Sequence, residues 1–166
     1  QYTNVYNSRK HNFDLLRKQN HEEMVKLINS SLPENAGIVR IHVAGDFFSL
    51  PYMHAWYMVA ALNPNVLFYA YTKSLKFWVG GINELPILHN FVLTASYGGR
   101  DDHMIDEFNL RSTKVVFSEA EAEELGLAID HDDSHAAKPS LRDNSFALLI
   151  HGTQPAGSQA SVALKE

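Results

Sequence analysis

Residues 38–46 read I-V-R-I-H-V-A-G-D and run directly into an aromatic turn, F-F-S-L-P. Apolar residues at alternate positions are interleaved with Arg40, His42 and Asp46, which is the period of two expected for a β-strand. A solvent-exposed strand can alternate in the same way. Because the stretch lies among several other apolar runs, we interpret it as a buried strand whose polar groups face a functional interior.

Four more strand-like runs follow along the chain, beginning near residues 66, 91, 114 and 146. They are spaced by roughly 25 to 30 residues with helical patterns in most gaps, which is typical of repeated βα units and a mostly parallel sheet. We therefore predict one α/β domain over residues 1–166. Five units are too few to close an eight-stranded barrel, so an open sheet with flanking helices and a partial (β/α) barrel are the two candidates.

Helix boundaries are marked by capping residues. One helix is predicted at about residues 11–31, and a second follows Ser49, a suitable N-cap. Ser118 followed three residues later by Glu has the form of a capping box, and Gly126 is a suitable end for that helix. Residues from Ser158 onward are predicted to form a terminal helix, and residues 129–135 an acidic loop.

Composition excludes several classes of protein. The formal net charge of -5 argues against broad electrostatic binding of nucleic acid or anionic membranes. No apolar run approaches the length of a membrane span and the N-terminus lacks a signal-peptide pattern, so cytoplasm is the expected location. The chain has no cysteine, so its residues form no disulfide and supply no thiolate to a zinc or iron–sulfur centre.

The candidate catalytic residues are His42, Asp46 and Lys73, because ligands of parallel α/β sheets bind beyond the carboxyl ends of the strands. His42 and Asp46 would exchange protons or coordinate a divalent metal, and Lys73 would hold an anion or act as an amine nucleophile. Each also has a structural interpretation: a hydrogen-bonded core histidine, a helix cap, and a lysine that extends to solvent.

A small anionic ligand is the predicted partner of the remaining polar strand ends. Gly98-Gly99 could present backbone N–H groups, and H-G-T-Q-P-A-G-S leads from a strand into a predicted helix, the layout of an anion site. A plain turn or strand–helix connection would use glycine equally well. The candidate anion-binding residues are Arg40, Ser96, Gly98, Gly99, His151, Gly152, Gly157 and Ser158.

The stretch D-H-D-D-S-H at residues 130–135 concentrates carboxylates and imidazoles. Such density suits a divalent cation, with His131, Asp133 and His135 as the candidate ligands. The pattern matches neither an EF-hand loop nor H-E-x-x-H. A solvated acidic loop is the alternative interpretation.

Taken in order, the segments R-I-H-V-A-G-D-F-F-S, F-Y-A-Y-T-K-S, F-V-L-T-A-S-Y-G-G-R, I-D-H-D-D-S-H-A and F-A-L-L-I-H-G-T-Q-P-A-G-S resemble the bacteriophage gene product 88 family, over nearly the whole chain from Tyr2 onward. The resemblance implies a phage protein of the host cytoplasm. Family members carry an upstream segment with several cysteines, similar to an iron–sulfur or zinc site, and in outline resemble radical S-adenosylmethionine barrels. Since these cysteines are absent here, we expect a fragment or a shortened version that holds no such cluster.

Two functional hypotheses follow. The first is an enzyme that binds a metal ion or an anionic small molecule at the strand ends. The alternative is a non-catalytic accessory protein that binds a host protein or nucleic acid, in which the polar strand ends are structural networks.

Overall fold

The computed structural model describes residues 3–151, 157 and 162. It contains a single open sheet of six parallel strands. The strands are β1 (Ile38–Arg40), β2 (Leu67–Thr72), β3 (Phe91–Ser96), β4 (Ser112–Val116), β5 (Ala128–Ile129) and β6 (Phe146–Leu149). Their order across the sheet is β1-β2-β3-β4-β6-β5, and every neighbouring pair is parallel. The prediction of an α/β fold is confirmed, and of the two predicted forms the open sheet is the one observed.

Two helices precede β1, and the others fill the connections between strands. They are α1 (Thr3–Leu16), α2 (His21–Ser30), α3 (Leu50–Leu62), α4 (Leu75–Phe77), α5 (His103–Glu107), α6 (Glu119–Glu124) and α7 (Ser134–Ala137), and a π-helical turn at Trp78–Ile82 follows α4. Among the described residues, no helix is long and apolar enough to span a membrane.

The main hydrophobic core lies between α3 and one face of the sheet. α3 is apolar around most of its circumference, as expected for a helix buried on several sides. Met53 and Val59 on α3 are fully buried, as is Phe68 on β2. Helix α2 packs against the other side of α3 through Met24 and Ile28. This core fixes β1–β3 and therefore the positions of their carboxyl ends.

The opposite face of the sheet, which we call the α7 side, is covered by α7 and the loop that precedes it. Residues paired in register on neighbouring parallel strands share a face. Tyr71 pairs with Thr94, and Thr113 pairs with Phe146, so these four side chains lie together on the α7 side. Thr94, Thr113 and Phe146 are each no more than 2% exposed.

The first strand is much shorter than predicted. β1 ends at Arg40, and the remainder of residues 38–46 leaves the sheet as an irregular loop. Ile38 is 60% exposed and Val43 75% exposed, so the predicted burial of this stretch is wrong. The physical reason is that β1 is an edge strand with one neighbour, and Gly45 takes a left-handed conformation (φ 88°) that turns the chain away.

Two further predictions are corrected. The single helix predicted at residues 11–31 is two helices, because Asn20 begins α2 with a capping box completed by Glu23. The loop predicted at residues 129–135 begins within β5, which has two residues and is too short to leave a periodic signal. The predicted terminal helix from Ser158 lies outside the described residues.

The predicted caps of two helices are confirmed. The Ser49 hydroxyl accepts a hydrogen bond from the backbone N–H of Tyr52, and the Ser118 hydroxyl accepts one from Glu121 N–H. The Glu121 carboxylate accepts from Phe117 N–H, one residue before the position that a capping box requires. Gly126 has the left-handed conformation (φ 66°) that ends a helix.

Candidate functional site

A cleft of about 520 Å³ lies where three strands end. Arg40 is the last residue of β1, Asp130 directly follows β5, and Leu149 is the last residue of β6. We call this the strand-end cleft; its lining residues are Arg40, Asp130, His131, Asp132, Asp133, Leu148, Leu149 and His151. It lies at the edge of the sheet where ligands of parallel α/β proteins bind, as the sequence predicts.

The carboxylate of Asp133 joins three side chains from two strands. Its Oδ2 accepts hydrogen bonds from Arg40 Nη1 and Tyr69 OH, each at 2.9 Å, and its Oδ1 accepts one from Tyr71 OH at 2.7 Å. The Arg40 guanidinium also lies over the Tyr71 ring, 5.1 Å from its centroid. Arg40 Nε donates to the His42 carbonyl at 3.2 Å. Asp133 is therefore the partner that the inward-facing charge of Arg40 requires.

The two tyrosines of this cluster are held in their protonated form. Burial raises the pKa of both phenols, and the adjacent Asp133 carboxylate, which accepts their hydrogen bonds, raises it further. The pKa of Tyr69 reaches about 12, and that of Tyr71 is raised more strongly. Both phenols therefore act as hydrogen-bond donors throughout the physiological pH range.

Local backbone chemistry explains how Asp133 reaches this position. The buried Asp130 side chain accepts hydrogen bonds from the backbone N–H groups of Asp132, Ser134 and His135, which folds residues 130–135 into a tight turn. Within this turn Asp133 adopts a left-handed conformation (φ 61°), a region that aspartate tolerates better than most residues. The dense acidic motif thus builds a turn that places one carboxylate on the sheet.

The predicted metal ligands are not brought together. Asp133 is bonded to Arg40 and the two tyrosines, His131 is exposed, and His135 is buried with its ring 5.0 Å from that of Phe146. Within the described part of the chain, no three histidine, aspartate or glutamate side chains form a group that could hold a metal ion. The chain has no cysteine, so it offers no thiolate to an iron–sulfur cluster.

Asp46 anchors the loop after β1 to the end of β2. Its Oδ1 accepts hydrogen bonds from Phe47 N–H at 2.7 Å and from the Thr72 hydroxyl at 2.6 Å, and its Oδ2 accepts from Lys73 N–H at 2.6 Å. Both oxygens are therefore engaged by donors of the protein itself. These hydrogen bonds attach the loop after β1 to the end of β2, which is a structural role for Asp46. Its catalytic role stays a prediction.

Lys73 and the Gly98-Gly99 turn form a second closed network beside Asp46. The Lys73 ammonium donates to the Tyr97 carbonyl. The backbone N–H groups of Gly98 and Gly99 donate to the two carboxylate oxygens of Asp102, at 2.8 and 2.9 Å. The N–H groups predicted to bind an anion thus already bind an internal carboxylate.

His42 lines a different, larger cavity of about 900 Å³ between α1, α2 and the loop after β1. Its Nε2 lies 3.2 Å from Tyr52 OH, and its buried Nδ1 has no hydrogen-bond partner among the described residues. Burial lowers the pKa of His42, and the nearby Asp46 carboxylate offsets part of that effect. The predicted catalytic residues His42 and Asp46 therefore line a cavity other than the strand-end cleft, and Lys73 lines neither.

We predict that the protein loses stability as the pH falls from about 7 to about 5. The pKa of His42 is lowered by burial, and that of His54 is lowered by burial and by His21, whose Nε2 lies 2.9 Å from His54 Nδ1. A histidine whose pKa is lower in the folded state binds fewer protons than in the unfolded state. Folding is therefore disfavoured as the pH falls through the unfolded value of about 6.5 toward the lowered one.

Urea unfolding at a series of pH values checks this prediction. The double variant His42→Gln/His54→Gln should show a flatter pH profile than the wild type. The control His103→Gln replaces an exposed histidine and should keep the wild-type profile. A double variant that kept the full pH dependence would contradict the assignment.

The other predicted anion-binding residues are distributed as follows. Arg40 and His151 both line the strand-end cleft, whereas Ser96 ends β3 and its carbonyl lies 3.4 Å from Lys73 Nζ. Gly157 has a positive φ of 79° and is exposed. Gly152 and Ser158 lie outside the described residues.

Tyr69 and Tyr71 are the site residues that the sequence analysis missed. They occupy alternate positions of β2, in F-Y-A-Y-T, and so share a face. The alternation of hydroxyl-bearing aromatics with Phe and Ala was the available signal. It could not be interpreted without knowing that a carboxylate from residue 133 covers that face.

Comparison with known proteins gives the family. A sequence profile described as Gene product 88 matches residues 1–165. The Gene 88 protein of Mycobacterium phage L5 is 38% identical over 72 residues, which cover 38% of this chain and 30% of that protein. The match therefore spans less than a third of that relative's length. No solved structure matches this chain significantly. Since the profile covers nearly every residue, the chain belongs to the gene product 88 family of bacteriophage proteins.

Proposed function

We propose that this protein is an enzyme that binds a small anionic molecule in the strand-end cleft. The observation that carries the proposal is the state of Arg40. Its guanidinium is held by Asp133 and by the Tyr71 ring, yet its side chain remains 39% exposed. Its Nη2 makes no hydrogen bond with any described residue. A guanidinium held in one orientation offers its remaining N–H groups to a carboxylate or phosphate at little further entropic cost.

The shape and place of the cleft support this reading. Its volume of about 520 Å³ is typical of small-molecule sites, which span roughly 300–1,000 Å³. It is formed at the carboxyl ends of β1, β5 and β6, where parallel α/β sheets bind their ligands.

Three carboxylates also line the cleft, and two of them are held by hydrogen bonds within the protein. Asp133 is paired with Arg40 and two phenols, and Asp130 accepts hydrogen bonds from three backbone N–H groups. Asp132 is exposed, and its Oδ1 accepts a hydrogen bond from the backbone N–H of Ser134. Arg40 is the one arginine or lysine among the described residues that line the cleft, so an incoming anion would bind at its remaining N–H groups.

Two histidines give the cleft its chemistry. His131 and His151 line it together with Arg40. Imidazole is the side chain that most readily exchanges protons near neutral pH, so these residues are the candidates for general acid or base. In this proposal Arg40 binds the anionic group, and His131 or His151 moves a proton at an adjacent atom. His42, Asp46 and Lys73 lie outside the lining of the cleft.

Replacement of Arg40 tests the proposal. We expect one or more of three probes, inorganic phosphate, adenosine monophosphate and succinate, to bind the wild type in calorimetric titrations. Arg40→Gln should weaken that binding by roughly tenfold or more, because a hydrogen bond to a charged group contributes about 1.5–3 kcal/mol. Arg40→Lys keeps the charge but loses the planar fork, and should give an intermediate affinity.

The control is Arg100→Gln, which removes an exposed arginine on the turn after β3. It should bind the probe like the wild type. An equal loss of affinity in both variants would show that only the net charge matters and would contradict the proposal. Failure of all three probes to bind the wild type would also contradict it. Circular dichroism of each variant establishes that it is folded.

The alternative function, an accessory protein that binds a host protein, is favoured by one observation. Helix α1 has no buried residue, and its apolar side chains Val5, Tyr6 and Phe13 are each more than 40% exposed. The two functions predict opposite results. If α1 is the functional surface, Val5→Ser/Tyr6→Ser abolishes the activity of the protein in the infected host, and Arg40→Gln preserves it. Our proposal expects the reverse.

A further inference from the structure

A group of buried polar atoms without partners lies on the α7 side of the sheet, beyond the residues that line the strand-end cleft. These atoms are Thr94 Oγ1, Thr113 Oγ1, Arg111 Nε, Arg111 Nη1 and His135 Nδ1; none has a hydrogen-bond partner among the described residues. A buried polar group left without a partner costs about 1–3 kcal/mol, so five such atoms in one region require an explanation.

Three of these four residues adjoin one aromatic side chain, Phe146. The Arg111 guanidinium lies 5.5 Å from the centroid of the Phe146 ring, and the His135 ring lies 5.0 Å from it. Thr113 pairs with Phe146 in the sheet register. Arg111 lies beside Thr94 on the neighbouring strand, since its carbonyl accepts the hydrogen bond of Ala95 N–H. The four residues that carry these atoms are thus neighbours on one face of the sheet.

Charge distinguishes this group from an ordinary water site. Arg111 forms no ion pair with any described carboxylate, and its Nη2 donates a hydrogen bond to the His135 carbonyl at 3.0 Å. Asp143 and Asp130 raise the pKa of Arg111 electrostatically but form no ion pair with it. Asp130 Oδ1 lies 3.5 Å from His135 Nδ1, without the geometry of a hydrogen bond. Arg111 is partly buried, with its Nε and Nη1 fully enclosed. A cation removed from water without a paired anion is costly, and burial lowers the pKa of Arg111 to about 10.

We propose that Arg111, Thr94, Thr113 and His135 form an internal binding site for a halide-sized inorganic anion, such as chloride. The guanidinium supplies charge and two N–H donors, and the threonine hydroxyls supply neutral donors. Thr94 is 1% exposed and Thr113 2% exposed, so an anion bound at their hydroxyls would be enclosed by the protein. The site goes beyond the proposed function, because none of these four residues lines the strand-end cleft.

Two measurements on the intact protein test the site. In crystals of the wild type grown with sodium bromide, we expect an anomalous bromide peak within hydrogen-bonding distance of Arg111 Nε or Nη1. In solution, we expect the urea midpoint to rise as sodium chloride replaces sodium gluconate at constant ionic strength. Once chloride exceeds its dissociation constant, a tenfold increase should raise the folding equilibrium constant about tenfold.

Matched variants assign the effect to this site. Arg111→Met replaces the buried charge with an apolar side chain of similar length and should abolish the chloride dependence, and Thr94→Val should weaken it. Arg100→Met, the exposed control, should retain it. If Arg111→Met fails to fold, the bromide peak in the wild type decides.

Three results would overturn the proposal. They are a water molecule without anomalous signal at Arg111, a chloride dependence that survives Arg111→Met, and a midpoint that responds to phosphate but not to chloride. A midpoint that responds only to phosphate would indicate an oxyanion site. Arg40→Gln should leave the chloride dependence intact, so failure of this proposal and failure of the proposed function are distinguishable.

Discussion

Asp133→Asn is expected to lower the free energy of unfolding by about 2–4 kcal/mol. The carboxylate accepts hydrogen bonds from Arg40, Tyr69 and Tyr71, and hydrogen bonds to charged groups contribute about 1.5–3 kcal/mol each. We discount their sum because the Asp133 side chain is 25% exposed and the Arg40 side chain 39% exposed. Asparagine tolerates the left-handed backbone of this position, so the effect reports the charge and not strain.

Equilibrium urea unfolding measures this effect, and Asp132→Asn is its control. Asp132 is the neighbouring carboxylate on the same turn, but it is exposed and contacts neither Arg40 nor the tyrosines. It should remain close to the wild type. Equal losses in the two variants would show that the turn, and not the pairing of Asp133 with the sheet, determines stability. Asp133→Asn should also weaken anion binding, since it releases Arg40 from its fixed orientation.

Asp46→Asn is expected to lower the free energy of unfolding by about 2–3 kcal/mol. Asp46 accepts from Phe47 N–H, the Thr72 hydroxyl and Lys73 N–H, and an asparagine amide group would place a donor against one of these donors. The loop after β1 would then lose its attachment to the end of β2. Urea unfolding again provides the measurement.

The control for Asp46 is Asp101→Asn, since the Asp101 side chain makes no hydrogen bond with any described residue. It should have little effect on stability. Binding of the small anion separates the two roles of Asp46. If Asp46 is an anchor outside the cleft, Asp46→Asn lowers stability while the affinity of the folded protein for phosphate stays near that of the wild type. A loss of activity or affinity at unchanged stability would instead support the predicted catalytic role.

The sequence predicted the larger elements because their signals are local. Val66 onward and Phe91 onward are apolar runs bounded by turn residues, and both become central strands. Ser49 and Gly126 define helix ends through bonds and backbone angles within a few residues of themselves. Such features depend on neighbours in the chain, which a pattern records directly.

The errors arose where a contact with a distant segment decides the outcome. Residues 38–46 alternate like a strand, but an edge position gives β1 only one neighbour, and the sheet holds three of its residues. β5 exists because it pairs with β6 across the sheet, and its two residues carry no periodic signal. The candidate metal ligands of residues 130–135 do not lie together in the structure. The turn in which Asp130 accepts backbone hydrogen bonds directs Asp133 toward the sheet and buries His135.

By itself, the sequence determined that this protein is an α/β domain with polar residues at the carboxyl ends of its strands, because helix and strand periodicity and capping are encoded locally. Only the tertiary structure decided which polar residues act together. Arg40 and Asp133 are 93 positions apart, and Tyr71 and Asp133 are 62 apart. The partner of the Arg40 charge is fixed by the folding of the whole sheet, so it cannot be deduced from the spacing of residues along the chain.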